Sequence, residues 1–471
     1  MSESDRYDAV ILGAGPGGEV AVNTLLRHGK RIALVEREVI GGECTNWGCI
    51  PSKTLLRPPE LKGQSTKAAG VSTPTLDWPR LAEYRDYMVS NHDDSGRISR
   101  YEDRGITVIK APGRIAGPGR VEADGRVLET DAVIVATGAE AIIPPIPGLQ
   151  DAGYWTNREA TALEELPESA VFIGGGVVSI ELAQFMARFG VRCTIVEGGE
   201  RLAGREDPAI GEFLQEILEE DGIDVRLGRR AQGVRLDGED RIVELDDGSE
   251  ARGAVIVVAT GRRPRTRDIG LESVGIEPSP RGIQVDERCR AGDGVWAIGD
   301  CTGGGFTHVA KYQGRIAAMD ILGHDVKQDL RAVPRVLFTD PEVAAVGLTE
   351  EAARDRGIDV VTHAIDLPTS IARPYTYEEE PRGRFGVVVD RGKGTLVGAW
   401  AVAPLASEWI HTAVLAIRAE IPVDVLKDTI AQFPSFFEAV GTALRALPEE
   451  KMLMEIDHCP HPMIEQPAAV A

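Results

Sequence analysis

The chain has 471 residues, enough for about three domains at roughly 150 residues each, and its 43% hydrophobic and 27% charged residues suit a globular protein with a sizeable core. Lys and Arg total 52 against 74 Asp and Glu, a formal charge of −22 that argues against nucleic acid and anionic membranes as partners. No apolar run of about 18 residues marks a membrane helix, Met1 to Asp5 do not open a secretory signal, and six cysteines are too few for a disulfide scaffold, so a cytoplasmic protein is expected.

The first apolar run, Tyr7 to Leu12, breaks at Gly13-Ala-Gly15-Pro-Gly-Gly18 and gives way to Ala21, Val22, Leu25 and Leu26 at helical spacing. A second run, Arg31 to Val35, stops at Glu36. This reads as strand, glycine turn, helix, strand, acid. Glycines of this kind let the backbone approach a pyrophosphate, the helix N-terminus supplies N–H donors, and the acid accepts from a ribose hydroxyl.

Next comes Gly41-Gly42-Glu43-Cys44-Thr45-Asn46-Trp47-Gly48-Cys49-Ile50-Pro51-Ser52-Lys53. Zinc is a poor reading of the two cysteines, because Cys193, Cys289 and Cys301 stand singly and offer no second pair, and no metal site is expected. A disulfide fits better. On a regular helix, residues five apart have Cα atoms roughly 8 to 9 Å apart, beyond the roughly 7 Å a disulfide tolerates, so the chain must be irregular here, and Gly48 and Pro51 supply the means. A bridge closing so small a loop adds little stability and reduces easily, which suggests redox use.

Asp131 to Gly138 is an apolar strand ending in Ala-Thr-Gly. Ala170 to Ile173, Gly174-Gly-Gly176, a helix from Val178 to Phe189, the strand Cys193 to Val196 and Glu197 then repeat the opening layout, with Ser179 at the third glycine position. Two such units imply two adenine dinucleotides. Glu197 favours NADH by repelling a 2′-phosphate, and Arg201 and Arg205 offset that, leaving NADPH as the alternative. Ala254 to Gly261 is a second strand ending in Ala-Thr-Gly, and Val295 to Asp300 a strand ending on an acid. From about Pro334 the pattern turns to strands at Phe385–Val389 and Thr395–Val402 and a helix over Glu408–Ala419.

With the Gly13/Gly15/Gly18 turn, the Cys44-x4-Cys49-x3-Lys53 motif, both Ala-Thr-Gly strands, Gly299-Asp300 and Phe338-Thr-Asp-Pro-Glu-Val343, the chain resembles the class I pyridine nucleotide–disulfide oxidoreductases over about Asp8 to Leu447. The resemblance implies an α/β fold with two Rossmann-like dinucleotide-binding domains and a C-terminal α/β dimerisation domain. Its divisions would be 1–150 for FAD, 151–265 for NAD(P), 266–332 for the central part, 333–450 for the interface and 451–471 for the tail. It implies a homodimer that passes electrons from NADH through FAD to a Cys44–Cys49 disulfide and on to a small-molecule acceptor.

By the same resemblance, Glu36 would hold the FAD ribose and Asp300 a ribityl or pyrophosphate group. Cys49 would form the charge-transfer contact, Cys44 would meet the acceptor, and Lys53 would sit at the flavin paired with Glu181. Gly42, Thr45, Gly113, Thr137 and Gly138 would join the FAD site, with His308 and Ala310 in the helix aimed at the flavin. Gly174, Gly176, Glu197 and Gly261 would serve the nicotinamide nucleotide.

The sequence departs from the family near its end. Dithiol-specific members carry His-Pro-x-x-x-Glu, whose imidazole serves the partner subunit's thiol, whereas this chain reads Phe433-Pro-Ser-Phe-Phe-Glu438. Phenylalanine cannot move a proton, a loss of about 10²–10⁴-fold for a general acid–base step, so turnover of lipoamide or glutathione disulfide by that route is not expected. Phe-Pro here, with Arg205-Glu-Asp-Pro-Ala-Ile210 and Val402-Ala-Pro404, resembles the mercuric reductase branch, whose soft metal substrate needs no imidazole. That branch ends in a vicinal cysteine pair, and here a single Cys459 stands between His458 and His461. The alternative reading is direct reduction of a quinone or nicotinamide by the flavin, with the disulfide ancillary.

Overall fold

The computed structural model describes residues 6–447; Cys459 and the rest of the tail lie outside them. The described chain divides into two compact units, one of residues 6–333 and 337–343, the other of 334–336 and 344–447.

The first unit holds two parallel sheets built the same way. Strand β1 (Ala9–Leu12) enters helix α1 (Pro16–Arg27), which leads to β2 (Ile32–Val35). The strands are continuous apolar runs because every side chain in them is buried, and Pro16 suits the first turn of α1, where an N–H would have no partner. Two helices follow, α2 (Gly42–Asn46) and α3 (Cys49–Lys67), then β3 (Thr107–Ile109) and β4 (Val133–Val135).

Beyond the short helix α4 (Asn157–Ala162) the second sheet begins with β5 (Ser169–Ile173), helix α5 (Val177–Arg188) and β6 (Arg192–Glu197). It is completed by β7 (Asp224–Leu227) and β8 (Val255–Val258). The chain then returns to the first sheet with β9 (Arg290–Gly292) and β10 (Val295–Ala297), followed by α6 (Thr307–Ile321).

The first sheet runs β9-β10-β4-β1-β2-β3 and the second β7-β6-β5-β8, parallel throughout except for β9. Strand order reverses between β1 and β4 in one and between β5 and β8 in the other. Such switch points open crevices at the carboxyl ends of the strands, where ligands bind.

In the second unit β11 (Pro334–Leu337), β12 (Glu342–Gly347), β13 (Val360–Asp366), β14 (Arg384–Asp390) and β15 (Thr395–Ala403) form one sheet in the order β11-β12-β15-β14-β13. The single helix expected over Glu408–Ala419 falls as two, Ala406–Trp409 and His411–Arg418, with Trp409 buried and its indole N–H donating to the Pro404 carbonyl. Helix Glu438–Arg445 closes the described chain.

Candidate functional site

At the first switch point Gly13 adopts φ +109°, and a Cβ there would lie 2.3 Å from the Ala136 carbonyl oxygen. Glycine is therefore obligatory where the turn crosses the end of β4, which explains the Ala-Thr-Gly strand ending. Gly18 is equally confined, 2.1 Å from the Gly13 carbonyl oxygen, because α1 must rise close against the strand. Gly15 differs: nothing lies within 4 Å of its Cβ direction, leaving backbone open beside the α1 N-terminus. Glu36 ends β2 with its carboxylate accepting from the Ala14 and Glu38 amides, both at 2.7 Å.

Gly13, Gly15, Glu36 and Ala136 line one cavity, together with Gly42, Gly113, Thr137, Gly138, Asp300 and Ala310. A side chain at Gly42 would close on Gly15, and one at Gly113 on Leu12 and Val35. The Asp300 backbone carbonyl accepts from the Gly303 amide at 3.0 Å, its side-chain carboxylate has no hydrogen-bond partner among the described residues, and burial raises that carboxyl above the usual range. Open glycine backbone at a helix N-terminus, an acid directly after the second strand and a side-chain carboxylate without a hydrogen-bond partner fit FAD. The Thr45 side chain packs beside Gly41, and the His308 ring stacks on Phe306 (5.3 Å, 22°).

The second switch point repeats the first. Gly174 has φ +110° with its Cβ direction 2.5 Å from the Ala259 carbonyl oxygen, and Gly176 faces open space. Glu197 accepts from the Gly175 amide and, at 2.6 Å, from the Gly199 amide. Gly261 follows β8 at φ +134°. Ser179 fills the third glycine position fully buried, its hydroxyl without a partner.

Helix α2 ends at Trp47, and Gly48 (φ −119°, ψ −112°) breaks the path before α3 starts at Cys49. The irregularity expected from the spacing is there, and it brings the two thiols into mutual hydrogen bonding. Cys49 is exposed, and Cys44 donates to it, which lowers the Cys49 thiol to about 6 with help from Thr307 and Lys53, against partial desolvation and Glu181. The same bond and burial drive the Cys44 thiol upward. One thiolate and one thiol result. Cys193, Cys289 and Cys301 are instead pushed to about 12, mainly by burial, and are inert.

Lys53, one turn along α3 from Cys49, pairs with Glu181 of α5 at 2.7 Å and lies 4.8 Å from the Phe338 ring centroid. Glu181 also accepts from the Phe338 amide at 2.9 Å, so the pair is anchored rather than a loose surface contact. Sequence reasoning missed Thr307, whose hydroxyl is 3.5 Å from the Cys49 sulfur at the start of α6. It also missed Arg158, which binds Glu43 and Glu38 at 2.7 Å each. The only signal for Thr307 was its place at a helix start after Asp300. Glu438 sits in the second unit and accepts from the Ser435 amide at 3.0 Å, while Phe433 there is 76% exposed.

Among the described residues no cluster of His, Cys, Asp and Glu could hold a metal ion, and no helix is long and apolar enough to cross a membrane. Residues 7–314 match the family described as pyridine nucleotide-disulphide oxidoreductase, and 333–444 match that family's dimerisation domain. The chain is 36% identical to a mercuric reductase of Shigella flexneri, covering 97% of this chain and 83% of that protein. It is 31% identical to a dihydrolipoyl dehydrogenase of Chlamydia muridarum, covering 95% and 100%. Among solved structures it is similar to a Cu(II) complex of the HOCl-induced flavoprotein disulfide reductase RclA from Escherichia coli, with TM-score 0.84, 27% identity and coverage of 94% and 99%.

Proposed function

The chain belongs to the pyridine nucleotide–disulphide oxidoreductases, an FAD- and NAD(P)H-using family, and within it we propose an enzyme that delivers electrons through Cys49 and Cys44 to a thiophilic metal ion. The observation that carries this reading is the Cys44 and Cys49 pair at the break between α2 and α3, with the Thr307 hydroxyl 3.5 Å from the Cys49 sulfur, in a chain whose acid–base histidine position holds Phe433. A soft metal ion accepts two sulfur ligands directly, displacing the Cys44 proton, and requires no imidazole. The names of relatives point the same way: mercuric reductases, and RclA solved with Cu(II).

FAD supplies two-electron exchange between a nicotinamide and the sulfur pair. The chain's own residues prepare that exchange. Lys53, held by Glu181, places a fixed cation where negative charge develops. Thr307 and Cys44 keep Cys49 ionised, and Cys44 remains the sulfur that meets the acceptor. Glu197 at the second turn favours NADH. The dimerisation domain supports a homodimer, in which we assign Phe433 to the partner's site and Glu438 to holding the turn that presents it.

Cys44→Ser decides the acceptor. The expected result is loss of NADH-driven Hg(II) or Cu(II) reduction with NADH:quinone turnover intact. Unchanged metal reduction in that variant would assign the acceptor to direct reduction by the flavin and make the thiols ancillary.

A further inference from the structure

The usefulness of the cysteine pair depends on a kink that local chemistry alone does not secure. Helices α2 and α3 are separated only by Trp47 and Gly48. Were they to merge into one helix, Cys44 and Cys49 would stand roughly 8 to 9 Å apart at Cα and could not bond. In such a helix the Trp47 carbonyl would seek the amide of residue 51, which is Pro51 and has none. That carbonyl instead accepts from Asn157 Nδ2 at 2.9 Å and Thr161 Oγ1 at 3.2 Å, both on α4.

The Trp47 ring is held as firmly. The Arg158 guanidinium lies 4.1 Å from its centroid, and Arg158 is itself fixed by Glu43 and Glu38. His92 stacks on the same indole at 5.1 Å and 14°. That histidine comes from Ser90-Asn91-His92, three successive non-glycine residues at φ +54°, +50° and +58°. Backbone of this kind is costly and persists where the surroundings impose it. Helix α4 is braced in turn by Trp155, which exchanges hydrogen bonds with Ile256 and Val258 of β8.

We propose that Trp47, gripped by Asn157, Arg158, Thr161 and His92, is the positioning residue that holds the kink and so sets the dithiol–disulfide equilibrium of Cys44 and Cys49. Trp47 touches no reacting atom. Its ring is the wedge and its carbonyl the bolt that keep the two sulfurs side by side. The inference rests on the proposed redox role of the pair for its significance only, because the equilibrium is measured without any acceptor.

The test equilibrates FAD-loaded protein with dithiothreitol of graded oxidation and counts free thiols by alkylation and mass. Forming the disulfide from the Cys49 thiolate and the Cys44 thiol removes two electrons and one proton, and oxidised dithiothreitol takes these with a second proton from solvent to become the dithiol. Trp47→Leu is expected to favour the dithiol at least tenfold, about 30 mV, with flavin content retained. Trp47→Phe, which keeps a π face for Arg158 and His92, is expected to restore most of that loss. Should Trp47→Leu fail to fold, Thr161→Val, which frees part of the carbonyl anchor, is expected to shift the equilibrium several-fold in the same direction. An unchanged equilibrium in flavin-loaded Trp47→Leu, or in Thr161→Val if that variant stands in, would overturn the proposal, whatever the metal assays showed.

Discussion

The two glycine turns of this chain are nearly superposable in logic and unlike in surroundings. In both, the first glycine is jammed against an Ala-Thr-Gly strand, the second faces open space, and the terminal acid ties the turn to its own loop through two backbone amides. The first turn is roofed by segments far along the chain, including Thr137, Asp300 and Ala310, and Glu36 is buried; Glu197 at the second turn is half-buried. The lesson is that the βαβ unit fixes where a dinucleotide's phosphates go, while segments outside it decide how deeply the ligand is enclosed. A resident cofactor and an exchanging one can therefore share one motif.

The sharpest way to break the comparison is to damage the two turns equally. In Gly13→Ala the new methyl meets an immovable carbonyl in a backbone conformation L-residues avoid, and the expected outcome is protein without FAD or no folded protein, read as the ratio of visible to ultraviolet absorbance. Gly174→Ala, with nearly the same local clash, is expected to keep its flavin and raise the KM for NADH at least tenfold, about 1.4 kcal/mol. Loss of flavin in both variants would mean the two units fold as one.

Within the first unit Lys53 and Glu181 join the two glycine-turn motifs, one from α3 behind the first turn, the other from α5 behind the second. Lys53→Met removes the fixed cation and strands Glu181, and flavin reduction by NADH is expected to slow about 10²-fold with flavin content unchanged. Stopped-flow bleaching of the flavin under anaerobic conditions checks it. A rate within threefold of the parent would reduce the pair to a structural brace.

The pair was legible in the sequence only through a resemblance, since nothing about residue 53 or 181 alone announces a partner. Glycine turns, terminal acids and the irregular Cys44–Cys49 spacing were legible from physical chemistry, because each is a local constraint written within about twenty residues. Contacts across the fold were not. Thr307 is 258 positions from Cys49, and its hydroxyl reaches the sulfur only because α6 begins where the first sheet ends. Arg158 and His92 likewise meet Trp47 through packing that no local pattern encodes. Thr45 and His308 were named from the family position alone, and their side chains pack beside Gly41 and on Phe306, which leaves any part they take to their backbone.

Thr307 gives a prediction of intermediate size. Because the Cys49 thiol is depressed to about 6, by Cys44 first and then Thr307 and Lys53, it is ionised above that pH and protonated below it. Alkylation of Cys49 in the reduced protein should therefore be fast at neutral pH and fall as pH drops through about 6. Thr307→Ala removes one stabilising hydrogen bond and should move that midpoint upward, toward the ordinary thiol value of about 8.5. A midpoint that stays put would assign the ionisation to Cys44 and Lys53 alone.

The smallest effect is expected at the third glycine position of the two turns. Gly18 admits no side chain, but Ser179 stands at the equivalent position of the second unit, fully buried with a hydroxyl that has no partner. An unpaired buried hydroxyl costs about 1–3 kcal/mol of desolvation. Ser179→Ala removes that cost and leaves only a hydroxyl-sized gap, so the net change should be stabilising by no more than about 1 kcal/mol, with the KM for NADH unmoved. Thermal unfolding of the flavin-loaded protein reads the first and steady-state kinetics the second. A marked rise in KM would show that the hydroxyl turns toward the bound nucleotide, making Ser179 a ligand contact instead of a tolerated substitute for glycine.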